Sequence, residues 1–146
     1  MIKLPENKSY LNRSFFQTEC TKRMSKIESN RLEEFRKERE EANEKVFDLD
    51  HLGIKRFFNL DNNTYKDGAL PAQTKELLGL VASTVLRCND CIDYHLEQSA
   101  KSGFTKDEIV DALNVALVVG GSIVIPHLRH AVDTLEILEK EGHLDS

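Results

Sequence analysis

Residues Glu76 to His95 read E-L-L-G-L-V-A-S-T-V-L-R-C-N-D-C-I-D-Y-H. The first part carries Leu77, Leu78, Leu80, Val81, Ala82, Val85 and Leu86, which put apolar side chains on most faces of a helix spanning about residues 72 to 87. A helix apolar nearly all round is expected to be central and largely buried. The second part holds Cys88 and Cys91 in a C-x-x-C pair, with His95 four residues beyond. With Cys88 at or just before the first turn of its own helix, Cys91 shares its face, with Cβ atoms ~5–6 Å apart. A disulfide holds its Cβ atoms ~3.5–4.5 Å apart, so a local adjustment at the helix start must accompany oxidation. One turn further along, His95 can reach the Cys91 sulfur as a base or charge partner. A thiol at a helix N-terminus beside an imidazole has its pKa lowered, and the thiolate is the reactive form. Asp90 and Asp93 oppose that effect unless they point to solvent, as their spacing from Cys91 allows. From these residues alone, Glu76 reads as a charged residue at the exposed start of its helix.

Working outward, Pro71 stands where a first-turn proline is tolerated. Before it, Ile54 to Leu60 is a short helix candidate anchored by Ile54, Phe57 and Phe58, and D-N-N-T supplies turn chemistry to end it. Residues 31 to 47 predict a helix with a thin apolar stripe of Leu32, Phe35, Ala42 and Val46. Its pairs Glu33 with Lys37 and Glu41 with Lys45 are in the favourable order, each contributing ~0.3 kcal/mol. After the cysteines, Gly103 is a C-terminal cap, and Thr105 to Glu108 forms a capping box that opens the next helix. That helix should bury Ile109, Leu113, Ala116 and Leu117. Gly120 and Gly121 interrupt it, and a last helix follows with Leu128, Ala131, Val132, Leu135 and Leu138 on one face. Pro126 lies in its first turn or kinks it. The one place where a strand competes is V-V-G-G-S-I-V-I; elsewhere no period-two pattern appears, so the expectation is all-α, one domain.

The chain has 146 residues with 31% charged and 40% hydrophobic, sufficient for one domain with its own core. A net charge of −5 argues against a nucleic-acid partner, which needs a basic footprint. No apolar run approaches the ~20 residues that cross a membrane, and the N-terminus lacks the apolar stretch of a signal peptide. A cytoplasmic location is therefore expected. Residues 1–30 show no sustained period and are expected to be a poorly ordered extension, with Cys20 a bystander thiol; residues 31–146 form the domain. Three cysteines make no secreted disulfide framework, which leaves redox or metal chemistry for the C-x-x-C pair. Zinc needs four ligands around one point, yet Cys88 and His95 on a continuous helix lie ~10.5 Å apart along its axis. The fourth ligand would have to be Glu76 or His127, and no metal or other cofactor is expected. His127 and His130, three apart on the last helix, read as polar boundary positions.

With its Glu76, Cys88, Cys91 and His95, and the later A-L-V-V-G-G-S, the chain resembles the carboxymuconolactone decarboxylase and AhpD-like alkylhydroperoxidase family. The likeness covers roughly residues 31 to 140, most specifically 76 to 121. The family's redox motif is a glutamate, eleven residues, then Cys-x-x-Cys-x-x-x-His, matched here at every spacing. The resemblance implies a bundle of about six helices that assembles into trimers or hexamers. It implies a thiol-dependent peroxidase in which Cys91 attacks a hydroperoxide and Cys88 resolves the sulfenic acid as a disulfide. Glu76 and His95 would be the proton relay, and a dithiol or protein thiol the reductant. Alternatives are a dithiol adaptor that reduces a partner peroxidase, a zinc-binding or structural oligomer, and a decarboxylase-like enzyme. The best-known peroxidase members carry a histidine between the cysteines, where this chain has Asp90.

Overall fold

The computed structural model describes residues 31–144, and within them the chain is all helical. Helix α1 covers 31–48, α2 Leu52–Thr64, α3 Ala72–Leu86, α4 Asn89–Lys101, α5 Lys106–Gly120 and α6 Ile125–Lys140, with a 3-10 turn at Ser122–Val124. The expectations for residues 1–30, Cys20 among them, lie outside the described residues. Among the described residues no helix is long and apolar enough to cross a membrane.

Local chemistry sets most of the boundaries. Pro71 is the residue before the first turn of α3, and the Asp67 carboxylate accepts from the Ala72 N–H at 2.8 Å in place of a cap from residue 71. At the end of α4, Gly103 takes φ +92, while Phe104 N–H donates to Ser99 and Gly103 N–H to Ala100. That bond pair satisfies the last carbonyls, as expected of a glycine cap. The Thr105–Glu108 capping box opens α5 with both reciprocal bonds present. Gly121, at φ 74, ends α5, and V-V-G-G-S-I-V-I passes from helix through the 3-10 turn into α6, so no strand forms there. Pro126 sits in the first turn of α6 and the helix runs on unbroken.

The core joins Leu80 of α3, Ile92 and Leu96 of α4, Ile109 and Leu113 of α5, and Ala131, Leu135, Ile137 and Leu138 of α6. Ile137 belongs to this core where the periodicity assigned Val132, which is 43% exposed. Helix α1 contributes Leu32 and, partly, Phe35. It is further tied down by Arg36, which bonds Glu97 at 2.9 Å and Glu141 at 2.6 Å. Beyond Arg36 most of α1 is exposed, and Lys37 stands 3.9 Å from Glu41, the reverse order of the expected pairs.

Two expectations change. Helix α2 does not stop at D-N-N-T: Asn63 Nδ2 bonds back to the Asn59 carbonyl and Thr64 Oγ1 to that of Leu60. Side chains read as turn formers thus close the last helical turn instead. Helix α3 is central but only partly buried, because Leu78 and Leu86 are 54% and 75% exposed while Leu80 is fully enclosed. Helix α2 buries none of its residues; Phe58 packs on Phe47 of α1 at 4.7 Å between ring centroids.

Candidate active site

The α3–α4 turn builds the site. Arg87 adopts the left-handed conformation (φ 64, ψ 37), and the N–H groups of Arg87 and Cys88 donate to Thr84 and Ser83. This reverses the chain, so α4 folds back along α3. Cys88 becomes the N-cap of α4 with extended backbone (φ −99, ψ 98), and its sulfur accepts from the Cys91 N–H at 3.4 Å. Cys88 and Cys91 are joined as a disulfide with Cα atoms 5.3 Å apart. Cys88 lies outside the helix in extended backbone, so the pair is not held at the wider i, i+3 spacing of a continuous helix.

Folding α4 back brings Glu76, nearly three turns before the end of α3, onto His95. Glu76 Oε2 lies 2.8 Å from His95 Nδ1, with both side chains about nine-tenths buried. This corrects the reading of Glu76 from its local sequence as an exposed charge, and agrees with the place the family spacing implied. An ionised carboxylate can only accept, so in this pairing His95 Nδ1–H donates and Nε2 is turned away from Glu76. Tyr65, just after α2, places its hydroxyl 3.4 Å from Nε2. Arg39, Asp61, Tyr65, Asp90, Cys91, Tyr94 and His95 line a cleft of about 200 Å³. Tyr94 meets His95 edge-on at 5.2 Å, and the Arg39 guanidinium lies 4.1 Å from the centre of the Tyr94 ring. Burial, and next the Glu76 charge, push both Tyr65 and Tyr94 above the ordinary phenol value.

Gly79, one turn along α3 from Glu76, makes this packing possible. A Cβ there would stand 2.6 Å from His95 Cε1 and 2.8 Å from the Tyr65 hydroxyl. A glycine inside an otherwise apolar helix was the available sequence signal, since it costs ~1 kcal/mol against alanine without some packing reason. Tyr65 carries no such signal: a tyrosine in a polar loop is unremarkable until the fold sets it against His95.

The acidic neighbours separate. Asp90 is exposed, whereas Asp93 is 2% exposed and faces away from solvent. Its carboxylate is bonded to Arg31 at 2.8 Å, His130 at 2.9 Å and Thr134 at 2.5 Å. Burial pushes the Asp93 carboxyl up, but the bonds from His130 and Thr134 and the nearby cationic groups outweigh it and hold it below its ordinary value. The Asp93 charge is thus matched locally on the side of α4 that meets α1 and α6. His127 bonds through Nδ1 to Asn89 Oδ1 at 2.7 Å, so it braces the first residue of α4. Among the described residues no three His, Cys, Asp or Glu side chains converge as a metal site.

Residues 54–134 match the Carboxymuconolactone decarboxylase family, and the chain belongs to it. Two crystal structures of one Thermotoga maritima protein superpose with TM-scores of 0.73 and 0.69 at 57% and 55% identity. They cover 75% and 77% of this chain and 96% and 98% of that one. An involvement in antioxidative response has been suggested for that family protein. A family protein from Legionella pneumophila superposes at 0.64 with 27% identity, over 75% of this chain and 96% of its own. An uncharacterized protein in the cox locus of Paracoccus denitrificans is 28% identical over 57% of this chain and 75% of its own.

Proposed function

We propose that this protein is a thiol-dependent peroxidase that reduces hydroperoxides through a Cys88–Cys91 disulfide. The observation that carries the reading is the coincidence of the Cys88–Cys91 bond with a Glu76-held imidazole in the Cys91 cleft. In the reduced protein, His95 Nε2 takes the Cys91 proton and leaves a thiolate, favoured also by the partial positive charge at the α4 N-terminus. The thiolate attacks the peroxide O–O bond, forming Cys91 sulfenic acid and an alkoxide, which takes the proton from His95 and leaves as alcohol. The Cys88 thiol condenses with the sulfenic acid, releasing water and closing the disulfide. A dithiol supplies two electrons and two protons to restore both thiols. The suggested antioxidative role of the Thermotoga relative supports this assignment.

The test is peroxide consumption by purified protein with dihydrolipoamide as reductant. Wild type turns over with the reductant and, pre-reduced and without it, loses both thiols together per equivalent of peroxide. Cys91→Ser abolishes turnover, and peroxide loss without reductant that leaves both thiols reduced would sink the mechanism. One observation favours a second use of the same pair: Leu86 is 75% exposed and Arg87 exposed immediately before Cys88, a surface another protein can approach. In that reading the pair passes electrons to a partner disulfide by exchange. Exchange without peroxide consumption would select it.

A further inference from the structure

Glu76 occupies the Nδ1 side of His95, which leaves Nε2 for other partners. In the disulfide form Cys91 has no proton to offer it. The group at Nε2 is the Tyr65 hydroxyl, 3.4 Å away, and burial and the Glu76 charge keep that phenol protonated, hence a donor. The Tyr65 and His95 rings lie 5.2 Å apart at 35°, both against the bare backbone of Gly79. Tyr65 is half-buried, and the carbonyls on either side of it, of Thr64 and Lys66, accept from Lys75 of α3, so any movement of its hydroxyl belongs to the side chain.

We propose that Tyr65 is a positioning residue that exchanges with the Cys91 thiol for His95 Nε2 according to the redox state of the Cys88–Cys91 pair. With the disulfide closed, the Tyr65 hydroxyl donates to Nε2 and holds the ring neutral. When a dithiol delivers two electrons and two protons, the S–S bond breaks and two thiols form. The Cys91 thiol then competes for Nε2 and passes its proton there, and Tyr65 gives way. Peroxide restores the disulfide and Tyr65 returns. This inference rests on the redox reading of the cysteine pair, not on peroxide being the oxidant.

The charged and titratable groups facing His95 are Glu76 from α3, Tyr65 and Asp61 from the α2 side, Arg39 from α1, and Asp90, Cys91 and Tyr94 from its own helix. A donor bond to the Nε2 lone pair shields that nitrogen, so its removal moves the ring nitrogen-15 resonance downfield. The experiment is nitrogen-15 NMR of the His95 ring at one pH in the full chain, oxidised and dithiol-reduced, for wild type, Tyr65→Phe and Tyr94→Phe. In Tyr65→Phe the oxidised Nε2 resonance moves downfield while the reduced resonance stays at its wild-type position. Tyr94→Phe, which keeps the edge-on ring, moves neither. A shift of equal size in both redox states, or none in the oxidised state, overturns the proposal. The readout needs no turnover: the expected spectra in a protein that consumes no peroxide refute the peroxidase assignment and leave the Tyr65 exchange standing.

Discussion

Gly79 shows how tightly single residues define this site. The space a methyl group would fill is shared by the His95 ring and the Tyr65 hydroxyl. Alanine at that position gains up to ~1 kcal/mol of helix propensity, but it must push the imidazole off its 2.8 Å bond to Glu76. Gly79→Ala is therefore expected to keep the melting temperature within a few degrees of wild type while lowering the proposed peroxide turnover at least ~10-fold, because in the proposed mechanism displacing the imidazole by about 1 Å costs that much or more. Calorimetry and a turnover assay on one preparation check it. Unchanged turnover would mean that the His95 seat is not needed. Asp93 makes the opposite point. Its position two residues after Cys91 suggests a penalty on the thiolate, yet its side chain meets Arg31, His130 and Thr134 instead. Asp90 is the acid that shares the cleft with Cys91.

Among the elements, the α3–α4 turn decides most, and it does so at some conformational cost. Arg87 occupies a left-handed position that a side chain with a Cβ adopts at ~1 kcal/mol, and a glycine there would be relaxed. Arg87→Gly should stabilise the subunit by about 0.5–1 kcal/mol, seen as a higher denaturant midpoint with an unchanged slope. Loss of stability would show that the guanidinium makes contacts outweighing its backbone strain. The contrast with Gly103, which ends α4 by the same bond pattern, is informative: the chain uses glycine away from the disulfide and an exposed cation beside it. Helix α2 differs in kind. Its end is written in Asn63 and Thr64 side chains that bond backward to carbonyls, and among the described residues none of its apolar side chains is fully buried.

Across the whole molecule, Leu52, Phe57 and Leu60 of α2, Leu78 and Leu86 of α3, and Val118 and Val119 of α5 are all more than half exposed. Exposed apolar surface on this scale marks interaction surfaces in soluble proteins, and we propose that further copies of the chain cover it. Phe57 is the sharpest probe, being 66% exposed on a helix with no buried residue. Phe57→Asp should lower the mass seen by light scattering at micromolar concentration while leaving the helical circular dichroism intact. A wild-type protein that is monomeric under those conditions would refute assembly through α2.

Much of this architecture was legible in the chain itself. The capping box at Thr105, the glycine cap at Gly103 and the glycine pair that ends α5 depend on backbone bonds within a few residues, so local sequence determines them. The C-x-x-C pair with His95 one turn on is local in the same sense, and sequence determined it as a chemical unit. Periodicity was weaker for burial, as Leu78, Leu86 and Val132 show, because it marks which face is apolar and not what covers it. What the tertiary structure alone decided was long-range: Glu76 on His95, Tyr65 at Nε2, Gly79 beneath both, and Asp93 matched by Arg31 and His130. Those contacts join residues 14 to 62 positions apart, and they exist because Arg87 reverses the chain and α1 and α6 close on α4. A side chain's partner across such a distance is set by how helices pack, and no property of the residue alone carries that information.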